Sequence, residues 1–213
     1  MDYLTLRAAG TAEYIDRKSR FIGQAAPVHT EDEAMAFLRE IRARCWDARH
    51  HVYAYVLRSG AARYSDDSEP QGTAGLPTLE VLTKAGLTDA VIVTTRYFGG
   101  VLLGTGGLTR AYGRAAHDAV AAAGIVRMQV CKSGTLTCGY AQYSAVNRVL
   151  AMGGAAVDDT DFGQDVTLRF HIAPARIPAL TQALADATAG SAAPEWTGES
   201  FYPTDEGEAD AAK

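Results

Sequence analysis

The first part of the chain alternates between strand-like and helix-like segments. Leu4–Leu6 and residues 11–28 are expected to be strands, and residues 51–57 are rich in β-branched and aromatic side chains, which favours another strand. Between them, apolar residues at positions 34, 37, 38 and 41 recur at helical spacing behind Thr30, a typical helix cap. The pattern therefore predicts strands on both sides of an amphipathic helix.

A nearly continuous apolar segment and a glycine-rich segment follow. Residues 90–95 predict a central strand that is buried on both faces. A short helix is predicted for residues 78–85, before that strand. A longer helix is predicted from about Leu108 to Ala123, with Gly124 in the position that commonly ends a helix.

The second part of the chain has a different order of elements. From Met128 to Phe201 the pattern predicts strand, helix, strand, strand, helix and strand, which is the ferredoxin-like βαββαβ plan. Residues 203–213 are small and acidic, and we expect them to be disordered. The sequence thus predicts an α+β protein with domains at residues 1–126 and 127–202 and a short tail.

Composition places the chain among ordinary globular proteins, with 47% hydrophobic and 21% charged residues. The longest apolar runs are too short and too interrupted to span a membrane, and no signal peptide is recognisable at Met1. The three cysteines, Cys45, Cys131 and Cys138, form no CxxC pair and favour free thiols in a reducing compartment. We therefore expect a cytoplasmic protein with no membrane partner.

Charge is distributed unevenly around the net value of −5. Residues 1–127 contain 15 Lys and Arg against 14 Asp and Glu, whereas residues 128–213 contain 5 against 11. Phosphate groups are repelled by an acidic surface. The first domain is therefore the expected contact region for a phosphate-rich partner.

The segment from Arg96 to Arg110 is the most informative part of the sequence. It places five glycines within nine positions between a predicted strand and a predicted helix, where close backbone approach and a helix N-terminus favour an anion. It matches neither the Walker A motif nor the dinucleotide fingerprint, so a tight turn with close helix–sheet packing is the alternative. The candidate anion-binding or nucleic-acid-binding residues are Arg96, Tyr97, Phe98, Gly99, Gly100, Gly104, Thr105, Gly106, Gly107, Arg110 and Arg114.

An acidic loop forms a second candidate feature. Asp66, Asp67 and Glu69 could hold a hard cation, although the spacing is not that of an EF-hand and a solvated turn is the alternative interpretation. Together with Gly72 and Thr73, they are candidate neighbours of the site.

His50 is another candidate neighbour of the site, as a base or a ligand. Adjacent strand residues point to opposite faces, so His50 and His51 are not expected to bind one metal. A site formed with Cys45 is conceivable. The sequence contains no recognisable catalytic set and predicts no metal or cofactor.

Together these motifs resemble the YigZ/IMPACT family. The resemblance rests on Ser19–Ile22, Ala48–Tyr55, Ser65–Gly75 and Thr95–Tyr112, and it extends from about Ser19 to Phe201. It implies a first domain similar to the second domain of ribosomal protein S5 and to domain IV of elongation factor G. It implies a second domain similar to domain V of that factor.

The sequence departs from the family pattern at three positions. Ser68 stands where glycine is usual, and Arg49 and His51 replace small or polar residues beside His50. The family has no established catalytic residues that could be assigned to this chain.

The resemblance also implies a role in translation. Eukaryotic relatives act in translational control by binding an activator of a starvation-responsive kinase. We therefore expect a protein that binds RNA, the ribosome or a translation-associated protein, without DNA specificity. The alternatives are a protein-interaction module without nucleic acid and an enzyme that acts on a phosphorylated small molecule.

Overall fold

The computed structural model describes residues 2–204, which form a mixed α+β protein of two compact units. Residues 3–127 with Thr204 form the first unit, and residues 128–203 with Asp2 form the second. The expected α+β class is confirmed. Within residues 2–204, no helix combines the length and the apolar composition that a membrane crossing needs.

The first unit is built on an antiparallel sheet with the strand order β2-β3-β6-β4-β5. The strands of this unit are β1 (Tyr3–Leu6), which lies outside that sheet, and β2 (Gly10–Asp16), β3 (Ser19–Pro27), β4 (His50–Val56), β5 (Ala62–Ser65) and β6 (Ala90–Tyr97). Its helices are α1 (Glu31–Arg44), α2 (Gly75–Lys84) and α3 (Gly104–Ala123).

The central strand β6 is buried on both faces, which confirms the expectation from its apolar sequence. Ala90 and Ile92 belong to a core that includes side chains of α2 and α3. Val91 and Val93 point to the other face, where the core includes side chains of α1. The alternation of strand side chains thus places α1 on one side of the sheet and α2 and α3 on the other.

Two glycines let α3 lie very close to the sheet. A Cβ at Gly23 of β3 would stand 2.3 Å from the carbonyl oxygen of Ala115, and one at Gly10 of β2 would stand 2.2 Å from the backbone nitrogen of Ala123. Atoms cannot approach that closely, so only glycine fits at these crossings.

Both helices next to the glycine-rich segments begin earlier than predicted. Helix α3 begins at Gly104 rather than near Leu108, and α2 begins at Gly75 rather than Thr78. Glycine has weak helix propensity, but Gly107 and Gly75 are buried where larger side chains would clash. Tertiary packing therefore overrides the local preference.

The second unit has the element order that the sequence predicts. It contains β7 (Ile125–Cys138), α4 (Tyr140–Met152), β8 (Ala156–Phe162), β9 (Val166–Ile172), a 3₁₀ turn (Pro174–Arg176), α5 (Ile177–Thr188) and β10 (Glu195–Thr204). In its sheet β7 pairs with β9 and with β10, β9 pairs with β8, and the short strand β1 also pairs with β7. A core centred on Leu136, Phe170 and Leu184 lies beneath the two helices.

Two strands in this part extend beyond their expected ends. Strand β7 begins at Ile125 rather than at Met128, so it runs across the expected domain boundary as a continuous strand. Strand β10 extends through Pro203 to Thr204, because this segment pairs with β7. The rest of the expected disordered tail, residues 205–213, lies outside the described residues.

The close approach of α3 to the sheet can be tested with Gly23→Ala. We expect the free energy of unfolding to fall by about 2–3 kcal/mol, because the added methyl group must displace the backbone of α3. The control is Gly113→Ala, since a Cβ there meets no described atom within 4 Å. This control should gain about 0.5–1 kcal/mol from helix propensity. Urea unfolding followed by circular dichroism measures both, and equal effects would contradict the packing argument.

Candidate functional site

A buried ion pair connects three elements of the first unit. Arg96 at the end of β6 donates from Nη1 to Oε1 of Glu69 in the acidic loop, at 2.6 Å. Tyr112 of α3 donates its hydroxyl to the same oxygen at 2.8 Å. The side chains of Arg96 and Glu69 are only 7% and 4% exposed. The pair therefore stands in a largely water-free setting, where both charges depend on each other.

Arg96, which the sequence suggested as a phosphate contact, is buried and has an internal partner. Its guanidinium lies 5.4 Å from the ring centre of Phe21 and 5.6 Å from that of Phe98. Its Nε atom is buried without a hydrogen-bond partner among the described residues. Arg96 is committed to Glu69 because an arginine at this depth needs a counter-charge.

The carboxylates of the acidic loop point to different partners. Asp66 accepts hydrogen bonds from the backbone nitrogens of Gly72, Ala74 and Gly75, and so caps the start of α2. Asp67 accepts from Arg42 at 2.8 Å and from the backbone nitrogen of His51 at 2.6 Å.

Because Glu69 faces Arg96, the three carboxylates of this loop do not converge. In the described part of the chain, no group of three or more His, Cys, Asp or Glu side chains could hold a metal ion. Thr73 donates its hydroxyl to the carbonyl oxygen of Pro70 at 2.6 Å and so holds the loop from within.

The departure at Ser68 lies at a strained turn. Asp67 and Ser68 have φ angles of +42° and +70°, which side chains with a Cβ rarely adopt. The turn directs the backbone carbonyl of Asp67 toward Nδ1 of His50, 2.8 Å away.

That contact fixes the hydrogen-bonding pattern of His50. Because a carbonyl oxygen only accepts, Nδ1 of His50 carries the proton, and Nε2 of the neutral ring has a free lone pair. The ring of His51 is buried on the other face of β4, 3.1 Å from the hydroxyl of Thr95, and burial lowers the pKa of His51. As predicted from strand geometry, the two histidines face different environments.

The glycine-rich segment packs against the turn between β2 and β3. Gly99 donates its backbone N–H to the hydroxyl of Ser19 at 3.1 Å, and a Cβ at Gly99 would stand 2.0 Å from the carbonyl carbon of Lys18. Gly100 and Gly104 have φ angles of +84° and +72°, which glycine adopts without strain. Gly106 and Gly107 lie in the first turn of α3, and no side chain caps that helix start.

A cavity of about 430 Å³ lies between the acidic loop and the glycine-rich segment. The acidic loop, the end of β6 and the residues at the start of β4 contribute its polar side chains. Its apolar lining comes from the loop before α3 and from α3 itself. The lining residues are Arg49, His50, Glu69, Pro70, Arg96, Phe98, Leu102, Leu103, Gly104, Thr105 and Leu108.

Several exposed cations surround this region. Arg17 and Lys18 form the tip of the β2–β3 turn, with φ angles of +44° and +69°, beside Gly99. Arg49 lines the cavity, and Nη1 of Arg110 would lie 3.6 Å from a Cβ at Gly106, over the start of α3. Among the described residues, none of these four forms an ion pair.

Arg114 and Tyr97, also candidates, have internal partners. Arg114 donates from Nε to Asp118 at 2.7 Å, one helical turn away. The hydroxyl of Tyr97 donates to Asp47 at 3.0 Å, and burial raises the pKa of Tyr97 to about 12. Phe98, in contrast, is 51% exposed and open to a partner.

Sequence reasoning missed part of this site. It did not single out the leucine side chains at the cavity, of which Leu102 is 82% exposed. It also overlooked Tyr112 and the cationic turn of Arg17 and Lys18. Two consecutive cations between two strand-like segments were the available signal for that turn.

Comparisons with known proteins agree with this architecture. The family description "Impact N-terminal domain" matches residues 17–120, and a domain of unknown function (DUF1949) matches residues 136–191. The fold and cavity thus define a two-unit α+β protein with a polar-floored cleft in its first unit. The chain belongs to the IMPACT family, which confirms the resemblance found in the sequence.

Its relatives come from distant organisms. The chain is 33% identical to the IMPACT family member YvyE of Bacillus subtilis, covering 88% of each protein. It is 36% identical to YigZ of Escherichia coli, covering 82% of this chain and 88% of YigZ. A crystal structure described as a hypothetical protein matches with a TM-score of 0.59 and 34% identity, covering 91% of this chain and 96% of that one. Eukaryotic proteins named IMPACT match less than half of the chain.

The buried ion pair can be tested with Glu69→Ala. We expect a loss of about 3–5 kcal/mol in the free energy of unfolding, because Arg96 would remain buried without its counter-charge. The control is Glu80→Ala, which removes an exposed pair with Lys84 on α2 and should cost only about 0.3–0.5 kcal/mol. Chemical denaturation gives both values. A loss below 1 kcal/mol for Glu69→Ala would show that the pair is dispensable.

The strained turn can be tested with Ser68→Gly. Glycine accepts the φ angle of +70° without steric cost, so we expect a gain of about 0.5–1 kcal/mol after allowance for the greater freedom of the unfolded chain. The reciprocal control is Gly72→Ser, at a φ angle of +75° with open space around it, which should lose a similar amount. Thermal unfolding at fixed pH compares the two variants. A destabilised Ser68→Gly protein would refute the strain argument.

Proposed function

We propose that this protein acts in translation or its regulation by contacting RNA, the ribosome or a translation factor, with RNA as the favoured ligand. The contact surface is the region around residues 96–110 of the first unit. One observation carries this proposal. Near the exposed ring of Phe98 lie four exposed cations that form no ion pair with any described residue, namely Arg17, Lys18, Arg49 and Arg110.

The chemistry of this surface suits an RNA chain. Arginine side chains contact phosphate oxygens with a fixed fork of donors, and an exposed aromatic ring stacks on an unpaired base. The start of α3 adds backbone N–H groups and the positive end of the helix dipole. Arg96, which the sequence suggested as a phosphate contact, lies buried beneath this surface and holds the acidic loop through Glu69.

The turn between β2 and β3, which carries two consecutive cations, also supports a binding role. Arg17 and Lys18 both occupy the left-handed backbone region, which costs non-glycine residues energy. Strained backbone is more common at functional sites than elsewhere. The strain here presents two cations beside Gly99, which supports a role for them in binding.

The fold assignments made from sequence also belong to this proposal. We propose that residues 1–126 form a domain like the second domain of ribosomal protein S5, and that residues 127–202 form a ferredoxin-like domain. The order βαββαβ, the pairing of β7 with both β10 and β9, and the pairing of β9 with β8 support the second assignment. Family membership with the eukaryotic IMPACT proteins supports a translation-related role.

A protein partner without nucleic acid is the second candidate. The side chains of Phe98 and Leu102 at the cavity, and that of Val101 next to Leu102 in the chain, are exposed, and such exposed apolar groups favour protein contacts. Two results would favour this candidate over RNA. The association with ribosomes or translation factors would survive nuclease treatment, and Leu102→Asp would abolish it.

The RNA proposal is tested with Arg110→Ala. The variant should bind single-stranded RNA and ribosomes more weakly, and the slope of log affinity against log salt should decrease by about one, because one phosphate contact is lost. The matched control is Arg39→Ala, which removes an exposed arginine from α1 on the opposite face of the sheet. Filter binding at several salt concentrations measures both. Equal effects of the two substitutions would mean that no localised surface exists.

A further inference from the structure

The cavity beside the glycine-rich segment contains unused hydrogen-bonding groups. Arg96 and Glu69 use Nη1 and Oε1 for each other, while Nη2 of Arg96 and Oε2 of Glu69 have no hydrogen bond to any described residue. Both side chains line the cavity, as does His50. The floor of the cavity therefore offers a donor beside an acceptor, held in place by burial.

One end of the cavity suits a phosphate group. Gly104 and Thr105, at the start of α3, line it, and the helix has 20 residues and no side-chain cap. By contrast, the start of α2 is already occupied by the carboxylate of Asp66. The free N–H groups of α3 favour an anion at this end, and the exposed charge of Arg49, which also lines the cavity, adds to the attraction.

The remaining lining is apolar and partly aromatic. Phe98 and Leu102 are exposed at the cavity, and Leu103 and Leu108 add apolar surface. A flat ring can stack on Phe98 while its edge reaches the polar groups of the floor. A cavity of about 430 Å³ lies within the range of about 300–1,000 Å³ that is usual for small-ligand sites.

We propose that this cavity binds one nucleotide, with its phosphate at the start of α3 and Arg49 and its base against Phe98. A nucleotide combines an anion, a stacking face and a base edge that carries donors and acceptors, and each has a counterpart in the lining. The inference rests on the proposed function for the source of the nucleotide, which is an unstacked residue of an RNA chain. A free mononucleotide shares the same chemistry.

The test uses the full chain and calorimetric titration with nucleoside 5′-monophosphates and with ribose 5-phosphate. We expect saturable binding of the nucleotides and binding of the sugar phosphate that is roughly tenfold weaker or more, because the sugar phosphate lacks the stacking face. Phe98→Ala should weaken nucleotide binding by a similar factor. The matched control Phe162→Ala, which removes an equally exposed ring from β8, should leave it unchanged.

A second variant protects the test from folding artefacts. Thr105→Asp places a carboxylate in the first turn of α3, where it stabilises the helix but repels phosphate. It should weaken nucleotide binding roughly tenfold, whereas the isosteric Thr105→Asn should not. Equal affinity for ribose 5-phosphate and nucleotide, or unchanged binding by Thr105→Asp, would overturn the proposal.

Competition with single-stranded RNA identifies the source of the nucleotide. Displacement of the mononucleotide by RNA supports an unstacked residue of RNA as the occupant. Nucleotide binding without any RNA binding would retain the cavity as a site for free nucleotides and refute the proposed function. RNA binding that Arg110→Ala weakens, with no nucleotide binding at all, would retain the proposed function and refute the cavity site.

Discussion

The ion pair between Arg96 and Glu69 is the interaction on which the candidate site depends. It connects the end of the central strand with the acidic loop, and Tyr112 attaches both to α3. Two charges this deeply buried lose much of their hydration, so neither is stable without the other. This contact therefore fixes the acidic loop against the central strand and α3, and the hydrogen bonds of Asp66 and Asp67 hold the rest of the loop.

The acidic loop shows how a charged sequence can serve structure. Asp66 caps α2, and Asp67 holds the backbone of β4 and the side chain of Arg42. Each carboxylate is directed by the geometry of the turn, and Ser68 takes a strained conformation to maintain it. The loop therefore gives His50 a fixed tautomer and a fixed place at the cavity, while its three described carboxylates point to separate partners.

Sequence patterns predicted the elements whose burial follows a simple period. The apolar run of β6 identified a strand covered on both sides, and the alternating strands and helices of residues 128–201 gave the correct order. The start of α3 was wrong because local glycine propensity predicts a loop there, while burial of Gly107 stabilises a helix. The ion-pair partner of Arg96 could not be predicted, because sequence spacing does not show which carboxylate lies next to a given cation in the fold.

The division between buried and exposed cations resolves the apparent conflict between a net charge of −5 and an anionic partner. Charges in water act over about 8–10 Å at physiological salt, so a phosphate responds to its neighbours rather than to the whole chain. Near residues 96–110, the loop carboxylates are already hydrogen-bonded within the fold, whereas Arg17, Lys18, Arg49 and Arg110 have no ionic partner among residues 2–204. Within residues 2–204, the loop carboxylates therefore have partners inside the fold, while these four cations have no ionic partner, an arrangement that suits the proposed anionic ligand.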